Sequence, residues 1–377
     1  MAVFDFVYPG DLSTRTGGYR YARRMLAALE RRGVTARLHR LADSFPFPDA
    51  DALAHAGAVL AGIPDASTVV VDGLAFGAMA QAAASNAARL KLIALVHHPL
   101  ALETGLDVDA AQDLAASERA ALDSACAVIV TSPATAAALH DYGVSPARIT
   151  VVLPGTDRPL SPRSPPSPPS PAGAVLARAG RTPAPDSSGP VSLLCVASLT
   201  PRKGHRDLVE ALGALRSRNP AVGWQLACIG SLERDAACVT QLRARIAALG
   251  LDAQVTLAGE RDEAGVDRAY AQSDVFVLAS HHEGYGMVLA EALAHGLPVV
   301  STTAGAIPDT VPAAAGLLVP PGDVAALCRA LEKVIGDPAL RSSLSAAALA
   351  ASDSLPGWDA SAERFLAVLR APGGSRT

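Results

Sequence analysis

No apolar stretch in these 377 residues approaches the roughly 18–20 needed to cross a bilayer, so a membrane-spanning helix is not expected. The start, MAVFDFVYPG, lacks the basic segment of a secretory signal and reads instead as a strand. Cysteine is sparse and unpatterned: Cys126, Cys195, Cys228, Cys238 and Cys328 are odd in number and show no CxxC spacing. That argues against a disulfide framework and predicts buried, reduced thiols in a cytoplasmic protein. The formal net charge of -4 supplies no global attraction to nucleic acid, and no nucleic-acid partner is expected. There is no GxGxxG after a strand, against an NAD enzyme, and no GxxxxGK[ST], against a P-loop NTPase. Lysine is the last scarcity. It occurs only at Lys91, Lys203 and Lys333, in a chain that otherwise writes arginine.

What is present is apolar and alternating. Hydrophobic residues make up 50% of the chain and charged ones 18%, which fits a globular α/β protein long enough for two domains. Strand candidates in the first half are Val3–Tyr8, Thr68–Val71, Leu92–Val96, Val128–Thr131 and Ile149–Leu153. In the second half they are Val191–Ala197, Trp224–Ile229, Val255–Leu257, Val275–Leu278 and Val299–Val300. Ala-rich helical stretches separate them, so each half predicts a parallel sheet of right-handed βαβ units, a Rossmann-like domain. The halves span 1–158 and 191–355. Between them, 159–190 is a Pro/Ser-rich linker whose composition cannot form a packed core.

The stretch DVFVLASHHEGYGMVLAEALAHGLPVVST, 274–302, puts acids in two unusual places. Glu283 follows a buried strand by a few residues and should project beyond its carboxyl end, where open α/β sheets bind ligands. Gly284 and Gly286 permit close backbone approach. A helix starting near Gly286 would aim unpaired N–H groups at an anion such as a phosphate. Glu291 lies one to one and a half turns into that helix. Either it merely complements the helix dipole, or it accepts neighbouring hydroxyl hydrogens from a sugar.

These residues, with the Gly17–Gly18 loop, VHHP at 96–99, LTPRKGH at 199–205, GAIPDTV at 305–311 and GLLVPPGD at 316–323, resemble in order the retaining glycosyltransferases of family 4, over almost the whole chain. The resemblance implies a GT-B fold: two Rossmann-like domains facing across a cleft, with 356–377 as a closing helix and tail that return to the N-terminal domain. It implies a retaining, metal-independent transfer of a hexosyl-type sugar from a nucleotide-sugar donor to a hydroxyl acceptor, in carbohydrate biosynthesis. No cofactor is expected beyond that co-substrate. Glu283 would lie beside the donor sugar and Glu291 would hold the ribose, while Gly284, Tyr285, Gly286 and Met287 would meet the sugar and phosphates.

Lys203 and Arg202 would stabilise the leaving diphosphate. Many members carry Gly-Arg just after the strand where this chain has Ala197 and Ser198, and Arg202 is the candidate substitute. On the acceptor side stand Gly17 and Gly18, whose loop by the resemblance approaches the donor phosphates or the acceptor, and otherwise forms a plain turn. His97 and His98 stand there too, one to take a proton or hydrogen bond from the acceptor hydroxyl or simply structural. His97 matches the family position better.

The helix after Gly18 carries Arg20, Arg23, Arg24, Arg31 and Arg32 among apolar residues. It is either an ordinary surface helix or a peripheral contact with an anionic membrane at its inner face. Asp107 and Asp109 form a DxD, but in the setting of a helix start. His281 and His282 lack further ligands, so no metal is expected. Two other readings stay open: a sugar-nucleotide epimerase or phosphorylase of GT-B fold, and a non-catalytic sugar-nucleotide-binding subunit.

Overall fold

The computed structural model describes residues 2–103, 105–159 and 189–371. Most of the expected linker, 160–188, lies outside the described residues. The chain divides into two compact units, Met1–Gly155 with Pro356–Thr377, and Thr156–Leu355.

The first unit holds β1 (Ala2–Pro9), β2 (Val34–Leu41), β3 (Thr68–Asp72), β4 (Lys91–Val96), β5 (Ala127–Val130) and β6 (Ile149–Val151), in the order β2-β1-β3-β4-β5-β6. The second holds β7 (Val191–Val196), β8 (Trp224–Ile229), β9 (Val255–Gly259), β10 (Val275–Leu278), β11 (Val299–Thr302) and β12 (Gly316–Val319), in the order β12-β11-β10-β7-β8-β9. Every pairing is parallel. Parallel strands covered by helices on both faces need apolar side chains in both directions, and Val69–Val71, Leu92–Val96 and Val275–Leu278 are buried throughout. Each such Val or Leu contributes roughly 1.5–3 kcal/mol relative to exposure.

Two strands depart from the expectations. VTARLHRL forms β2 although it has no apolar run, because it is an edge strand paired only to β1 and largely open to solvent. Its Arg37 and His39 both reach Asp5 of β1, at 2.8 Å each. GLLV of the GLLVPPGD motif is the opposite edge of the second sheet, β12, half-buried over three of its four residues.

The helix Trp358–Arg370 packs within the first unit. Phe365 lies against Phe4 at 6.3 Å between ring centroids, and Asp359 accepts from Arg31 at 3.1 Å and Arg32 at 2.6 Å. One of the three lysines has its purpose here: Lys91 Nζ donates to the carbonyls of Leu369, at 2.8 Å, and Ala371, closing the helix end. The arginine helix, Gly17–Glu30, also differs from its sequence pattern. Arg20, Arg23 and Arg24 are half-buried, and Arg23 donates to the carbonyls of Leu12 and Thr14. The helix therefore shows solvent a weaker basic face than a helical wheel suggests.

Candidate functional site

The strand order of the second sheet reverses at β7, with β8 on one side and β10 on the other. Loops leaving the carboxyl ends of β7 and β10 thus diverge from neighbouring strands, the place where open α/β sheets take ligands. The first loop is LTPRKGH and the second is SHHEGYG. They are bound together by backbone as well as side chains.

His281 N donates to the Arg202 carbonyl at 2.8 Å, and Arg202 Nη1 donates to the His282 carbonyl at 2.8 Å. Gly204 adopts φ +66°, and a Cβ there would stand 1.8 Å from the Ala279 carbonyl oxygen, so only glycine allows this approach. Lys203 Nζ, carried into this seam, donates to Glu283 Oε1 at 2.6 Å, and Ser280 Oγ donates to the same oxygen at 2.6 Å. The side chains of the pair are 17% and 7% exposed.

Burial opposes ionisation of Glu283, yet the charges of Lys203 and Arg202 and the two hydrogen bonds outweigh it and hold the carboxyl below its usual range. For Lys203 burial wins: it pulls the ammonium down, with Glu283 resisting. The result is a buried ion pair at the carboxyl ends of β7 and β10.

Behind Glu283 stands the GAIPDTV loop. Ala306 N donates to the Glu283 carbonyl at 2.8 Å, and Gly305 at φ +57° packs so closely that a Cβ would meet that carbonyl oxygen at 2.3 Å. Gly286, at φ +83°, caps the helix Met287–Ala294. Glu291 is the fifth residue of that helix, past its first turn, so the dipole alone is a weak account of it. Its Oε2 accepts from Tyr270 at 3.1 Å. Tyr270 also donates to the Val288 carbonyl at 3.1 Å and stacks on His295 at 4.9 Å. Tyr285 turns its ring inward: it is 7% exposed, burial pushes its hydroxyl up to about 12, and its carbonyl accepts from Thr310 at 2.8 Å. Gly284 and Met287 are half-buried beside it.

In the first unit Gly17 opens the helix after Thr16, its N-cap. A Cβ on Gly18 would lie 3.5 Å from the His97 ring, so these two expected site residues are neighbours. His97 also meets Tyr21 edge-on at 5.3 Å, and its buried Nε2 makes no hydrogen bond, lying 3.8 Å from Asp72 Oδ2. His98 points elsewhere, with Nε2 3.3 Å from Glu103. Asp107 N-caps the helix Val108–Asp123 through Ala110 N at 2.7 Å, and His281 pairs with Asp207 at 3.0 Å.

The structure thus assembles Arg202, Lys203, Glu283, Gly284, Tyr285, Gly286, Met287 and Glu291 in one unit and Gly17, Gly18, His97 and His98 in the other. Ser280, Tyr270, Thr310 and Asp72 escaped the sequence reading. Ser280 lay inside the quoted motif and could have been found. Tyr270 lies 21 residues upstream of Glu291 on another helix, and nothing in the sequence joins them.

Residues 190–337 match the family described as Glycosyl transferases group 1, and 15–158 match Glycosyltransferase Family 4. A D-inositol 3-phosphate glycosyltransferase from Arthrobacter sp. (strain FB24) is 30% identical over 244 residues, 64% of this chain and 54% of that protein. A GDP-mannose-dependent monoacylated alpha-(1-6)-phosphatidylinositol monomannoside mannosyltransferase from Corynebacterium glutamicum is 29% identical over 185 residues, 47% of this chain and 46% of that one. The chain spans about half the length of the curated relatives it matches.

Among solved structures, sucrose-phosphate synthase from Thermosynechococcus elongatus superposes with a TM-score of 0.75 at 20% identity, over 97% of this chain and 98% of its own. HepE of Anabaena superposes with a TM-score of 0.72 at 18% identity, over 98% and 99%.

Proposed function

The chain belongs to glycosyltransferase family 4 and has the GT-B fold, and from that premise we propose that it moves a sugar from a nucleoside-diphosphate-sugar donor to a hydroxyl acceptor, with retention of anomeric configuration and without a metal. The observation that carries this reading is the Lys203–Glu283 pair at the β7/β10 reversal. A buried ammonium whose partner can be exchanged suits a diphosphate that gains charge as the glycosidic bond breaks. HepE is solved in complex with UDP and with UDP-glucose, and the Corynebacterium relative is named for GDP-mannose; both support a nucleotide-sugar donor. In this reading the second unit binds the donor, with Glu283 at the sugar, Glu291 at the ribose and the 284–287 backbone at the phosphates. The first unit binds the acceptor, with His97, beside Gly18, as the group that meets its hydroxyl.

Incubation with a panel of nucleotide sugars and no acceptor tests the proposal. Slow hydrolysis of one donor is the expected result. Isomerised sugar with free nucleotide would instead identify an epimerase, and tight binding without turnover a binding subunit.

The same assay carries the second expectation. With leaving-group charge held by Lys203, Arg202 and a helix end, EDTA should leave the rate nearly unchanged. Complete loss, restored by Mg²⁺ or Mn²⁺, would remove this mechanism.

A peripheral contact with the cytoplasmic face of an anionic membrane completes the proposal. No helix among the described residues is long and apolar enough to cross a membrane. Because Arg23 is engaged by Leu12 and Thr14, and Arg31 and Arg32 by Asp359, any contact should be weak: partial co-sedimentation with acidic liposomes at low salt, lost as salt screens it. Equal sedimentation with acidic and neutral liposomes would end this part of the proposal.

A further inference from the structure

The five cysteines look scattered in sequence, but β7 and β8 bring two of them together. Cys195 and Cys228 are register partners on these adjacent parallel strands. His205, the first residue of the helix His205–Arg218, closes over them, with Nε2 3.6 Å from Cys195 Sγ. One ligand atom from each of the three side chains lies within 4.8 Å of the other two, and all three residues are at most 3% exposed. No fourth Cys, His, Asp or Glu joins them among the described residues.

We propose that Cys195, Cys228 and His205 form a binding site for a single thiophilic metal ion of the zinc, cadmium or monovalent copper class, made of residues other than those assigned to sugar transfer. Two sulfurs and an imidazole are the ligand set such ions prefer over oxygen-seeking magnesium or calcium. The spacing agrees. With metal–sulfur near 2.3 Å and metal–nitrogen near 2.0–2.1 Å, ligand atoms about 110° apart are separated by about 3.6 Å, the distance found between Cys195 and His205.

Packing alone accounts poorly for the group. Buried cysteines fill space as small apolar residues, but His205 brings a buried imidazole whose Nδ1 has no hydrogen-bond partner, a cost of roughly 1–3 kcal/mol that an apolar side chain would avoid. The imidazole is also fixed in place. Gly204, immediately before it, is wedged against the Ala279 carbonyl, so His205 cannot swing out without opening the loop that carries Lys203.

The test uses the full chain with Cys126, Cys238 and Cys328 replaced by alanine, kept reduced with a phosphine and titrated with Cd²⁺ until the signal is stationary. The expected result is an ultraviolet thiolate-to-cadmium band that saturates at a single equivalent and a native mass raised by one cadmium ion. Adding Cys228→Ala should abolish both. Cys228→Val, which refills the apolar space, serves if the alanine variant does not fold. His205→Phe should weaken binding at least tenfold while leaving the circular dichroism unchanged. A folded triple variant that shows no band overturns the proposal, and so does a band that survives loss of Cys228.

Discussion

Lys203→Ala is expected to lower turnover roughly 10²–10³-fold, the loss seen when a group stabilising transition-state charge is removed from a water-poor site. The substitution does a second thing. It strands Glu283, whose carboxylate is buried and ionised with Lys203 as its nearest cation. Breaking a buried pair from one side costs roughly 3–5 kcal/mol of stability, so a dead variant could simply be an unfolded one.

A double variant separates the two effects. Lys203→Met with Glu283→Gln removes both charges together and should regain most of the stability lost in Lys203→Ala. Its turnover should stay well below that of Glu283→Gln alone, because Arg202 and the helix end remain but the buried ammonium that meets the leaving diphosphate is gone. If turnover returns with stability, Lys203 is scaffold and the proposed role fails.

The carboxylates should divide the work. Glu283→Gln should lower turnover more than donor affinity, because charge changes at the sugar; Glu291→Gln should weaken donor and free nucleotide alike, because the ribose does not react. Each loss should be roughly 1.5–3 kcal/mol, that of a charged hydrogen bond. Glu283→Gln carries a further signature. The carboxylate is what resists the downward pull of burial on Lys203, so without it the ammonium deprotonates at lower pH and the alkaline fall in rate moves toward acid. An unchanged alkaline limb with wild-type affinities in both variants would detach the pair from the chemistry.

Glu283 and Glu291 were legible because a strand that stops, two glycines and an apolar helix place them by local rules. The partnership of Glu283 with Lys203 was not. It spans 80 residues and depends on β7 and β10 being neighbours, which only the strand order reveals. The same blindness hid the approach of Cys195 to Cys228. β2 was missed for the opposite reason: an open edge strand needs no apolar run, so the pattern that finds central strands passes over it. Nor can a helical wheel of Gly17–Glu30 show that Arg23 folds back onto loop carbonyls, or that Arg31 and Arg32, just past that helix, meet the closing helix.

Glu118 is the least legible residue of all, because ERAALD in a polar helix reads as a solvated charge, yet the structure buries Glu118 to 1% exposure. Its Oε2 accepts from Leu100 N at 2.8 Å, tethering the loop that follows His97 and His98, while Oε1 is buried without a hydrogen-bond partner. Burial pushes this carboxyl up to about 7, against the pull of the Leu100 N–H and of the neighbouring Tyr142 hydroxyl. The sign follows from proton counting. Between the ordinary value of 4.5 and about 7 the folded state keeps a proton that the unfolded chain has released, so stability falls as pH rises through that window. Above it the full cost is about 3 kcal/mol, since each pH unit separating the folded and unfolded values is worth about 1.4 kcal/mol.

Glu118→Gln mimics the protonated acid in shape and keeps an oxygen for Leu100 N. The variant should match wild type in urea unfolding near pH 4 and exceed it by about 3 kcal/mol at pH 8, with the gap opening across the window. Turnover at pH 8 should be retained, since the tether survives. A gap that does not change with pH would show that Glu118 is not the titrating group, and a variant less stable at pH 8 would show that its carboxylate is paired rather than stranded.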